Sequence, residues 1–205
     1  MEKANDIIGN IINSVLTALY KSFGASVIFA FILMFLFLYA KQHEWNKENF
    51  VKNMLSIWCD NYKNDAAFKK FFFMAVYTIM ILFRTIFNRD IWNNPLSDVM
   101  GDWGLHKSDG SLSSEPIENV MLFIPFTILL LWTFRKELLG GEVKFGKTLF
   151  KVTKVAGIFS FAIEFSQLLF HLGTFQISDL VYNTLGGAIG GMGYYIIYRI
   201  RHRKK

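Results

Sequence analysis

Apolar residues along this chain gather into long blocks separated by polar, largely basic stretches, and the blocks are too long to be strands of a globular sheet. Residues 23–40 form an uncharged run. At about 1.5 Å per residue it nearly crosses a hydrocarbon core about 30 Å thick. Further blocks lie at about 71–87, 117–134, 155–172 and 180–198. Each predicts a transmembrane helix, so the expected fold is all-α, a polytopic membrane helix bundle of about five spans with amphipathic interfacial helices. Two weaker patterns flank the first block. In residues 5–20, Ile8, Ile11, Ile12, Val15, Leu16 and Leu19 share one helical side while Asp6, Asn10, Asn13 and Thr17 share the other. This predicts either an interfacial helix or an extension of the first span. In residues 41–70, Val51, Met54, Leu55, Trp58 and Tyr62 recur at helical spacing and predict a short helix on the membrane surface. The organisation expected is a leader, first span and surface segment in 1–70, then a membrane domain in 71–205.

Composition agrees with that pattern, because 205 residues with 53% hydrophobic, 17% aromatic and only 19% charged content do not suit a soluble domain. A formal charge of +6 raises the question of a nucleic acid, but the basic residues stand in clusters beside the apolar blocks, which topology explains and a phosphate partner does not. Lys41, Lys47, Lys52, Lys63, Lys69 and Lys70 follow the first block; Arg135, Lys136, Lys144, Lys147, Lys151 and Lys154 follow the third; Arg199, Arg201, Arg203, Lys204 and Lys205 follow the fifth. The segment 88–116 and the turn 173–178 are poor in Lys and Arg. One orientation satisfies every segment: N-terminus outside and C-terminus in the cytoplasm. The single cysteine, Cys59, then lies in the cytoplasm, where thiols stay reduced.

Polar groups inside such blocks are expensive and single out candidate functional residues. Arg84 sits near the outer end of the second block, where it either snorkels to the interface or joins a buried ion pair. Glu118 and Asn119 open the third block, and an acid there also suits a helix N-terminus. Pro125, well inside, is expected to free a backbone carbonyl and kink the helix. Glu164, Gln167 and His171 share one helical face, as do Asp179, Asn183 and Gly186. Glu164 lies roughly 12 Å below the outer end of its block at 1.5 Å per residue. The expected arrangement is a polar funnel in the outer leaflet, with Arg84 and Arg89 as partners for Glu164, Glu118 and Asp179. Gly186 with Gly190 and Gly187 with Gly191 form GxxxG pairs suited to close helix packing. In the loop 88–116, Asp98, Asp102 and His106 stand four apart, but Gly101 and Gly104 interrupt the helix a ligand set would need. Neither a metal site nor a cofactor is expected.

Four blocks in order, Thr85 with Arg89, ENVMLFIPF from Glu118 to Phe126, IEFSQ from Ile163 to Gln167, and ISDLVYNTLGGAIG from Ile177 to Gly190, resemble the VanZ-like family of bacterial integral membrane proteins. The resemblance covers about 85–190 and leaves the first span and the leader outside. By it, Arg89, Asn119, Pro125, Glu164, Gln167, Asp179, Asn183 and Gly186 fall on motif positions. Thr127 stands where a glycine often follows the Pro-Phe pair, and an arginine frequent in the turn before the Asp-Leu pair is missing from 173–176. The resemblance implies a multi-pass protein of the bacterial cell membrane linked to resistance to the lipoglycopeptide antibiotic teicoplanin. The expected partners are the bilayer and a lipid-linked cell-wall precursor or lipoglycopeptide, with nucleic acid excluded. A membrane enzyme modifying a cell-wall lipid and a non-catalytic subunit of a membrane complex are the alternatives. No nucleophile elbow, P-loop or HExxH pattern favours the enzyme.

Overall fold

The computed structural model describes residues 2–41, 50–104 and 113–203. These contain helices α1 (Glu2–Lys41), α2 (Phe50–Asn64), α3 (Ala66–Leu82), α4 (Glu115–Leu139), α5 (Phe145–Phe170) and α6 (Ile177–His202), with no strand among the described residues. Lys47, His106, Lys204 and Lys205, which entered the sequence expectations, lie outside them.

The leader and the first span are one helix. Residues 5–20 continue without interruption into 23–40, so the extension holds and a separate interfacial helix does not. The surface helix of 41–70 forms as α2 and packs by rings: Trp58 lies 4.8 Å from Phe31 of α1 and 5.8 Å from Phe68 of α3. Asp65 then caps α3, its carboxylate accepting from the Ala67 amide at 2.8 Å. At its far end α3 widens into a π-helical turn, Phe83–Phe87, closed by the Asn88 amide donating to the Phe83 carbonyl at 2.9 Å.

Among the described residues, four segments are long and apolar enough to cross a membrane: Ile12–Leu38, Ala66–Phe87, Glu115–Leu139 and Phe145–Phe170. The fifth expected span, α6, is not among them, because its glycines, tyrosines and Asn183 dilute its apolar content. Even so it is 26 residues long and packs more extensively than any other helix, against both α4 and α5. The glycines explain the contact. A Cβ on Gly186 would run into the Val120 backbone carbonyl and one on Gly190 into the Ile124 carbonyl and Thr127 Oγ1, while Gly187 and Gly191 abut Ala156 and Val152 of α5. Thr127, the departure from the family's usual glycine, is fully buried over Gly190 and returns its hydroxyl to the Phe123 carbonyl at 3.1 Å.

Pro125 does not mark the irregularity in α4. The helix stays regular there and departs from helical geometry at Phe134, with φ −112° and ψ 27°. Next to the Met121 carbonyl that Pro125 cannot satisfy, the Tyr77 hydroxyl of α3 donates to the Leu122 carbonyl at 2.9 Å. A core of Ile81, Leu122, Phe123, Phe126, Ala156 and Ile163 joins α3, α4 and α5. Large apolar side chains such as Leu36, Phe150, Phe161 and Ile196 point outward, as a lipid-facing surface requires.

A polar cavity at one end of the bundle

Antiparallel succession brings the end of α3, the start of α4, the end of α5 and the start of α6 to the same end of the bundle. There Arg84, Arg89, Glu118, Asn119, Glu164, Gln167, Asp179 and Asn183 line one cavity of about 420 Å³. All eight residues singled out from the sequence meet at this place. The wall also takes in Ser14 of α1, Thr85, Glu115, Thr174 and Gln176. The basic residues Lys70, Arg135, Lys136 and Arg201 collect at the opposite end.

The charged pairs sort themselves. Arg84 Nη2 donates to Glu118 Oε2, and the Ser114 hydroxyl donates to Glu118 Oε1 at 2.7 Å, so both oxygens of Glu118 are engaged. Arg84 is therefore a partly buried ion-pair partner of Glu118 and not a lone snorkelling cation; the pair's side chains are 18% and 8% exposed. Asp179 accepts from Asn119 Nδ2 at 2.7 Å. Glu164, only 1% exposed, accepts from the Gln176 backbone amide at 2.9 Å. Arg89 is exposed and forms no ion pair among the described residues, although it stands close enough to Glu164 and Asp179 to act on both through its charge.

Gln167 reaches from α5 to the Thr85 carbonyl at 2.7 Å, satisfying a main-chain acceptor in the last turn after α3. Asn183 Nδ2 donates to Ser160 Oγ at 2.9 Å, while Asn183 Oδ1 is buried with no donor. His171 parts from the inner face expected for it. It takes a left-handed conformation, φ 56°, its amide closes on the Gln167 carbonyl as the cap of α5, and its ring is exposed. A side chain in that conformation no longer follows the helical face of Glu164 and Gln167.

The segment from Asn88 to Gly104 folds over the turn that joins α5 to α6. The Trp92 amide donates to the His171 carbonyl at 2.7 Å, Phe175 to Pro95 at 2.9 Å, Ile177 to Val99 at 2.9 Å and Ser178 to Met100 at 3.3 Å. The last two bonds satisfy first-turn amides of α6, a helix whose N-cap Gln176 supplies no side-chain acceptor. Gly101 allows the approach, since it has φ +66° and a Cβ there would meet Ser178 Oγ. Asp98 belongs to this scaffold. Its oxygens accept from the Gly101 amide at 3.2 Å and Gln176 Nε2 at 2.9 Å. His106, the third member of the spacing considered for a metal, lies outside the described residues, and no three His, Cys, Asp or Glu residues group as ligands among those described.

Four of the additional lining residues had distinct reasons to escape notice in the sequence. Ser14 sits in the leader, which an interfacial reading keeps away from the bundle. Glu115 fell within the loop 88–116, and Thr174 and Gln176 within a turn read for its missing arginine. Gln176 contributes through its amide to Glu164 and through its side chain to Asp98.

Long apolar helices packed around a polar, partly charged cavity at one end define a multi-pass membrane protein with a candidate site among its helices. The chain belongs to the VanZ/LLP1 family, whose model matches residues 23–198. The match includes the first span, which the four sequence blocks left out. Protein VanZ of Enterococcus faecium is 33% identical over 91 residues, 44% of this chain, and the chain spans 50% of that relative's length. No solved structure matches.

Proposed function

We propose that the cavity is an extracytoplasmic binding site, set in the outer leaflet of a bacterial cell membrane, for a lipid-linked ligand of the cell envelope. Through it the protein contributes to envelope function or to resistance against lipoglycopeptides such as teicoplanin. The observation that carries this reading is Arg89, an exposed guanidinium on the wall of a polar cavity and without a carboxylate in ion-pair contact among the described residues. Such a group suits phosphate or carboxylate. Phe87, Trp92, Trp103 and Phe170 are exposed aromatic side chains on the segments at the same end of the bundle, a composition suited to acyl chains.

The test is susceptibility to teicoplanin in a host lacking any other resistance determinant, with membrane abundance measured in parallel. Arg89→Ala is expected to leave abundance intact, because Arg89 is exposed and forms no ion pair among the described residues, and to weaken ligand hold by about tenfold, the scale of one charge-assisted hydrogen bond. Glu164→Ala and Asp179→Ala are expected to lose protection as well. Unchanged susceptibility in all three at normal abundance would overturn the reading.

A further inference from the structure

The balance of charge around the cavity does not match a purely anionic ligand. Four carboxylates, Glu115, Glu118, Glu164 and Asp179, share the wall with two guanidinium groups. Arg84 is spent on Glu118, which leaves Arg89 alone near Glu164 and Asp179 without ion-pair contact to either. Among the described residues, Glu164 accepts one hydrogen bond, from the Gln176 amide, and Asp179 one, from Asn119. A second observation, independent of the acids, points the same way. Asn183 is 4% exposed, lines the same cavity, and holds its Oδ1 buried with no donor. Buried acceptors left open in this way call for a donor, and a buried carboxylate such as Glu164 for a countercharge.

We propose that the cavity takes a ligand carrying a primary ammonium group next to an anionic group, the ammonium seated among Glu164, Asp179 and Asn183 and the anion at Arg89. The inference rests on the binding-site reading above and names the headgroup chemistry that the site selects. A primary ammonium is compact and has three N–H donors, which answer two carboxylates and one amide oxygen. A trimethylated ammonium carries the charge without a donor and leaves Asn183 Oδ1 unanswered. A headgroup bearing phosphate alone satisfies Arg89 and brings a further negative charge towards Glu164 and Asp179.

The experiment is binding by the full-length protein in detergent micelles, read by native mass spectrometry. The probes are phosphatidylethanolamine, phosphatidylcholine and phosphatidylglycerol of matched acyl chains, together with soluble phosphoethanolamine. Phosphatidylethanolamine is expected to bind about tenfold tighter than the other two lipids. Glu164→Gln, whose side-chain oxygen still accepts the Gln176 amide, and Asp179→Asn are expected to erase that preference while keeping phosphatidylglycerol binding. Arg89→Ala is expected to weaken phosphatidylethanolamine and phosphatidylglycerol alike. The comparison of the three lipids needs no variant, so a misfolded mutant does not remove the test. Equal binding of all three lipids, with dependence on Arg89, would overturn the ammonium site and leave the lipid site standing. Binding of soluble phosphoethanolamine alone, sensitive to Glu164→Gln, would support the ammonium site and overturn the lipid-linked reading. If none of the probes binds, both are wrong.

Discussion

Gly186 shows how narrowly single positions are held. A Cβ there would strike the Val120 backbone carbonyl, which cannot rotate away as a side chain does. Gly186→Ala is expected to cost about 1–3 kcal/mol through overpacking. Gly193, about two turns further along α6 with nothing within 4 Å of its would-be Cβ, is the control. Gly193→Ala is expected to be neutral or to stabilise by about 0.5–1 kcal/mol, since glycine in a helix interior carries an entropic penalty. Denaturation of the purified variants in detergent distinguishes them, and equal losses at both positions would refute the packing account. The close contacts were readable as GxxxG spacing, and the polar positions as anomalies in apolar runs. Their partners were not readable. That Glu118 takes Arg84, Asp179 takes Asn119 and Gln167 takes a main-chain carbonyl depends on how four helices rotate against one another, which no local pattern records.

Helices and loops were legible to different degrees. Periodic apolar runs located the long helices among the described residues, and the amphipathic pattern within 41–70 located α2. The same reasoning left open whether the leader ended before the first span, because an amphipathic face reads alike whether lipid headgroups or neighbouring helices cover it. Least legible was the segment from Asn88 to Gly104, which read as an acidic loop and in fact supplies the carbonyls of Val99 and Met100 to the first turn of α6. Gly101→Val probes that role, because valine is disfavoured at φ +66° and its Cβ would displace Ser178. Amide hydrogen exchange at Ile177 and Ser178 is expected to accelerate in the variant, with the rest of α6 unchanged. Exchange as slow as in the wild type would mean that α6 does not depend on the loop for its cap.

The chain's topology has its own reporter. Cys59 is the only cysteine and is exposed on α2, at the end of the bundle that the charge pattern assigns to the cytoplasm. In intact cells a membrane-impermeant maleimide is expected to leave Cys59 unlabelled and to label it only after lysis. Labelling of intact cells would invert the orientation and place the cavity on the cytoplasmic side. The membrane class followed from composition and block length alone, whereas the number of spans did not, because α6 exchanges apolar content for the glycines that let it nest between α4 and α5. The wide turn at Phe83–Phe87 governs something further. Arg84 stands within the wide turn and Arg89 just past its Asn88 cap, so the end of this one segment brings both arginines to the cavity. Both come from the chain just past α3, whereas Glu164, Asp179 and Asn183 come from α5 and α6, and the Arg89 side chain reaches the Gly173 turn that joins those two helices. Arg89 and the acids it acts on are thus carried by different parts of the bundle, so a shift of α3 against α5 and α6 would change the spacing between them.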